Sequence, residues 1–224
     1  MATRDDILAR IRTGLGVRGG DATRRSAAEA LLAARRMGPR PASVGEPAGG
    51  RSGDPAVHFR VKSEAMASTV DELASLAEVP AAVARYVAAQ GLLPRAVCWP
   101  ALGALDWAAA GLAVEARAAC GDDLVGITGC FCAIAETGTL MLASGPDTAA
   151  TTSLLPETHI AVVPVSRIVP AMEEGFALLR QQYGDLPRAV NFVSGPSRTG
   201  DIEQTIVLGA HGPYRVHLLL VRDA

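Results

Sequence analysis

Lysine is almost missing from this chain: Lys62 is the only one, and arginine carries nearly all the positive charge. Without a second lysine no Gly-Lys-Ser/Thr phosphate loop can be written, and a Schiff base would have to form on Lys62, which sits in a charged, solvated segment. Cysteine is also sparse, with Cys98, Cys120, Cys130 and Cys132 forming no Cys-x-x-Cys pair and no histidine at zinc-finger distance. Iron–sulfur and structural zinc ligation within the chain are therefore not expected. The Gly-x-Gly-x-x-Gly fingerprint of dinucleotide folds is missing too. A formal net charge of −2 offers no polyanion-binding surface, so no nucleic-acid partner is expected. No apolar run reaches membrane-spanning length, and the start Met1-Ala2-Thr3-Arg4-Asp5-Asp6 lacks the apolar core of a signal peptide. The expectation is a cytoplasmic chain with reduced thiols and no membrane contact.

What is present is an alternation of apolar runs with helical patterns. Ile7, Leu8, Ile11 and Leu15 fall at helical spacing behind Asp5 and Asp6, predicting a short amphipathic helix. From Gly16 to Gly53 an alanine-rich stretch and several Pro-Gly clusters read as a flexible arm, its arginines suited to docking on a partner. This places a boundary between an N-terminal helix and arm, 1–53, and one main domain, 54–224. Asp54-Pro55 caps a helix running to about Met66 with Val57, Val61 and Ala65 on its apolar face. Pro80 opens another, with Val83, Tyr86 and Val87 inward and Gly91 at its C-terminal cap. Buried strands are expected at 96–99, 112–115, 125–128, 139–142, 160–163, 190–193 and 216–221, with a helix over 169–183 and a short one starting near Thr199. Strands apolar along their whole length are covered on both faces, so the fold class is α/β with a mainly parallel sheet flanked by helices.

Three constellations carry chemistry. Glu136 leaves the apolar run Ala133-Ile134-Ala135 for the small-residue turn Thr137-Gly138-Thr139. A carboxylate there must be paired or hydrogen-bonded, as a ligand-facing base or as a turn-capping or ion-paired acid. Ser194-Gly195-Pro196-Ser197-Arg198-Thr199 runs toward Asp201 and Glu203. If a helix starts there, its free N–H groups beside Ser197, Arg198 and Thr199 suit a small carboxylate or phosphate, unless Asp201 occupies them first. His211, between Ala210 and Gly212, offers an imidazole as acid, base or ligand donor, or simply a turn residue. Because both the Glu136 and Ser197 motifs follow strands, a parallel sheet would bring them to one edge as a shared pocket.

The ordered set Val125-Gly126-Ile127-Thr128-Gly129, Ile134 to Thr139, Ser194 to Thr199, Asp201-Ile202-Glu203 and Gly209 with His211-Gly212-Pro213 resembles the LUD-domain family over about residues 54–224. The resemblance implies a fold similar to the ribose-phosphate isomerase and CoA-transferase superfamily. It also implies a part in oxidising L-lactate to pyruvate beside two iron–sulfur partner proteins. Iron–sulfur or flavin centres are then expected in the partners and none in this chain. A motif-lined cleft of Glu136, Thr137, Gly138, Thr139, Ser197, Arg198, Thr199, Asp201, Glu203 and His211 is carried over, without catalytic roles. Two readings follow: an accessory or ligand-binding subunit of a lactate-oxidising system, or a stand-alone enzyme acting on a phosphorylated sugar, an acyl-CoA or a nucleotide-activated acid. Fold alone does not choose between them.

Overall fold

A computed structural model of the chain describes residues 3–16, 22–34, 38, 54–184, 186–200 and 207–223. Its contacts divide it into two units, Met1–Arg40 and Pro41–Ala224. In the first, α1 (Arg4–Gly14) begins with a capping box: Thr3 Oγ1 accepts from Asp6 N at 3.2 Å and Asp6 Oδ2 accepts from Thr3 N at 2.8 Å. The stretch expected to be wholly arm contains a second helix, α2 (Ala22–Ala34), whose alanines favour helix although none of its residues is buried. Residues 39–53 lie outside the described residues.

The second unit is a layered α/β domain. After α3 (Pro55–Ala65) come β1 (Thr69–Ser75), α4 (Val79–Ala89), β2 (Arg95–Cys98), β3 (Ala113–Ala116), β4 (Val125–Thr128), β5 (Cys132–Ile134) and β6 (Thr139–Ala143). A one-turn helix α5 (Thr151–Leu154), β7 (Thr158–Pro164), β8 (Ile168–Val169), α6 (Met172–Tyr183), β9 (Val190–Val193), β10 (Arg198–Thr199), β11 (Val207–Leu208) and β12 (Arg215–Asp223) complete it. Six strands form an all-parallel sheet in the order β1-β12-β7-β4-β2-β3. A second sheet, β8-β5-β6-β9, is antiparallel at β5–β6 and β6–β9 and parallel at β5–β8. Among the described residues no helix is long and apolar enough to cross a membrane.

Period-two alternation explains the layering. Leu219 and Val221 of β12 pack with Val83 and Val87 of α4, while Leu218 and Leu220 face Phe59 of α3 and Ala133, Leu140 and Leu142 of the second sheet. The far face of that sheet, Cys132, Ile134, Met141 and Ala143, is closed by Leu179 of α6. Each fully buried Val, Leu, Ile, Met or Phe among them contributes about 1.5–3 kcal/mol.

One sequence expectation fails locally, and one strand lies where none was expected. Helix α3 buries Phe59 and Ser63, whereas Val57 and Val61 are exposed, because one large aromatic outweighs a row of smaller side chains in choosing the inward face. The polar edge strand β1 has no hydrophobic signature: Glu72 takes Arg60 and Arg222, and Asp71 takes Arg85. Its place comes instead from parallel pairing with the apolar β12.

Candidate functional site

The Glu136 turn joins β5 to β6 as a hairpin connection. Ala135 N and Glu136 N donate to the carbonyls of Val169 and Pro170, which brings the turn to the start of α6. Glu136 Oε1 there accepts from Met172 N, the first residue of that helix, at 2.9 Å. Half-buried, the carboxylate thus sits on the positive end of a helix dipole and satisfies a donor that the helix cannot. Two residues on, Gly138 has φ +65°, and a Cβ there would stand 2.5 Å from Ser63 N and 2.6 Å from Lys62 C. Only glycine lets the turn lie this close against the last turn of α3. Ser63 Oγ, fully buried, donates to the Gly138 carbonyl at 3.3 Å.

The second motif leaves β9 at the same edge. Since β6 pairs antiparallel with both β5 and β9, the turns after β5 and β9 emerge side by side. Their hydroxyls are joined: Thr137 Oγ1 donates to Thr139 Oγ1 at 2.7 Å, and Thr139 Oγ1 is hydrogen-bonded to Ser194 Oγ. Gly195, at φ +73°, lies against α3 as closely as Gly138 does, its would-be Cβ 2.1 Å from Met66 O. Arg198, exposed, donates from Nη2 to that same carbonyl at 3.3 Å. The end of α3 is therefore the common backing of both motifs.

Two expectations need correction. Arg198 and Thr199 do not begin a helix; they are strand β10, paired antiparallel with β11 as Arg198 to Leu208 and Thr199 to Val207. Their N–H groups are thus not the orphan donors of a helix start. The shared edge belongs to the four-stranded sheet and not to the parallel one, because β5 pairs with β6 and lies in the layer below. His217 packs within β12, 2% exposed and stacked on Tyr86 with ring centroids 4.0 Å apart. Asp201 and Glu203 lie outside the described residues. Ser197 is held by Ser197 N to Pro213 O and by Gly209 N to Ser197 O, and a Cβ on Gly212 would touch its Cβ at 3.4 Å. His211, next in that loop, is exposed.

Other polar residues are positioned by packing that the sequence does not announce. His217 Nδ1 meets Thr69 Oγ1 at 2.8 Å, and burial pushes the ring's pKa down against the opposing Asp71 carboxylate, whose Oδ2 is 3.9 Å from Nε2. His159, fully buried, meets Thr128 Oγ1 at 2.8 Å through Nε2, and desolvation lowers its pKa to about 4. Ser63 had one usable signal, its i+4 spacing from Phe59. Among the described residues no group of three or more His, Cys, Asp or Glu could hold a metal ion. Chemically, the motif edge offers the Ser194 hydroxyl, whose proton the Thr137–Thr139 chain leaves free, an exposed guanidinium on Arg198 and a carboxylate already engaged on Glu136. That set suits binding of a small oxygen-rich anion.

The LUD domain model matches residues 59–221, which contain both motif turns and the sheets that carry them. The chain belongs to the LUD domain family. It is 40% identical over 136 residues to the Lactate utilization protein C of Bacillus licheniformis, a match covering 56% of this chain and 54% of that protein. Against the Lactate utilization protein C of Bacillus subtilis strain 168 it is 42% identical over 102 residues, 44% of this chain and 42% of that one. The matches thus span about half the length of these LUD relatives. A crystal structure of a DUF162 family protein from Deinococcus radiodurans superposes with a TM-score of 0.55 at 26% identity, covering 75% of this chain and 96% of that chain.

Proposed function

We propose that this LUD-domain chain serves lactate utilisation, as an accessory or ligand-binding subunit of a cytoplasmic system that oxidises L-lactate to pyruvate with two iron–sulfur partner proteins. The observation that supports this most is the identity of about 40% to proteins named Lactate utilization protein C, in a chain whose two motif turns converge on one edge. Oxidation of lactate releases two electrons and two protons, and the electrons need a flavin or metal centre to receive them. In this reading those centres belong to the partners, and this chain holds the carboxylate. Arg198 supplies the forked donor, and Thr137, Ser194, Ser197 and the Gly138 turn shape the place where the ligand rests.

The test is calorimetric titration of L-lactate, pyruvate and phosphate into the wild-type chain and Arg198→Leu, set beside melting curves. Binding of lactate or pyruvate weakened by roughly 1.5–3 kcal/mol with the melting temperature unchanged supports the reading. Unchanged affinity with lowered stability means that Arg198 serves only the Met66 carbonyl. A stoichiometric flavin or iron–sulfur spectrum from the isolated chain, or its turnover of a sugar phosphate or acyl-CoA, would overturn the division of labour.

A further inference from the structure

A cleft of about 350 Å³ opens where β2, β3 and β4 begin, at the N-terminal edge of the parallel sheet. It is lined by Arg95, Glu115, Arg117, Cys120, Asp122 and Asp123, and by no residue of the Glu136 or Ser197 motifs. Its volume is within the range of small-molecule sites.

One wall is locked. Arg117 grips Asp123 through both terminal nitrogens at 2.6 and 2.9 Å and reaches Glu115 through Nε at 2.7 Å, while Asp123 also accepts from Cys120 N at 2.8 Å. The guanidinium holds the Asp123 carboxyl far below the usual carboxylate range. One cation shared by two anions leaves this wall with a net negative charge. Arg95 and Asp122, by contrast, have no ion-pair partner among the described residues. The cleft therefore presents one available cation and one available anion beside a net-negative wall. A ligand that satisfies all three carries a carboxylate for Arg95 and ammonium groups for Asp122 and the Glu115–Asp123 side.

We propose that this cleft is a binding site for a small zwitterion of the basic amino-acid class, its carboxylate on Arg95 and its ammonium groups toward Asp122 and the Glu115–Arg117–Asp123 wall. Such a site is separate from the motif edge, so its occupancy and lactate binding can be measured independently.

Cys120 reports on it. Cys98 and Cys132 are buried, with burial pushing each thiol up to about 11, and half-buried Cys130 is pushed up to about 12. Cys120 is the exposed cysteine. Alkylation of the full chain by iodoacetamide, read at Cys120 by mass spectrometry, should slow about tenfold in L-lysine at ten times its dissociation constant. Cadaverine, with amines alone, should protect more weakly, and L-lactate, with a carboxylate alone, should not protect. Arg95→Ala should reduce the protection by L-lysine to the level seen with cadaverine, and Asp122→Asn should remove it, with melting curves confirming that both variants fold. Equal protection by L-lactate, an absence of protection by L-lysine, or full protection persisting in Arg95→Ala would overturn the assignment.

Discussion

Gly195 and the carbonyl of Met66 are in direct apposition: a Cβ on the glycine would stand 2.1 Å from that oxygen. This contact ties the segment after β9 to the end of α3, and the neighbouring Gly138 makes the matching contact from the turn after β5.

Gly195→Ala should therefore cost more than a turn glycine usually does. Both the φ of +73° and the backbone clash oppose a side chain, so a loss of roughly 2–4 kcal/mol is expected in denaturant unfolding. Gly91→Ala is the control, with a similar φ of +65° but open space around it, and should cost only about 1 kcal/mol. Equal losses for the two variants would show that the Met66 contact contributes nothing.

Glu136 gives a test of role. Glu136→Ala removes the acceptor for Met172 N at the start of α6 and should destabilise the fold by about 0.5–2 kcal/mol. Glu136→Gln keeps an acceptor and loses only the helix-end charge, about 0.3–1 kcal/mol. Chemical denaturation of both variants, paired with lactate titration, distinguishes the alternatives. Wild-type stability in both, with affinity lost, would mean that the carboxylate serves the ligand and not the helix.

His159 predicts an acid limit. Desolvation lowers its pKa from 6.5 to about 4, so between those values the unfolded chain binds a proton that the folded chain refuses. Stability is at its full value above pH 6.5 and falls as pH drops toward 4, by roughly 3 kcal/mol at about 1.4 kcal/mol per unit. His217, also lowered by burial, acts in the same direction. Urea midpoints across this window should fall steeply for the wild type and less steeply for His159→Gln. Parallel slopes would show that the ring is protonated in the folded state.

Much of the architecture was legible because its cause is local. Val216 to Val221 reads as a doubly covered strand and folds as one, and Asp54-Pro55 marks the start of α3, where Asp54 Oδ1 accepts from Ala56 N at 2.9 Å. The glycines at 138 and 195 were visible as turn residues, but what they approach was not. Neither Lys62 and Ser63 nor Met66 is near them in sequence.

By itself, then, the sequence determined the α/β class, most strand positions, the resemblance to the LUD family and the two motif turns. Apolar runs, caps and ordered motifs are properties of short segments. Tertiary structure alone decided that β5, β6 and β9 form a second sheet, that β10 is a strand and not a helix start, and that Glu136 belongs to the N-terminus of α6. Strand pairing and burial depend on partners far along the chain, and a short segment such as Arg198-Thr199 takes its conformation from the strand beside it.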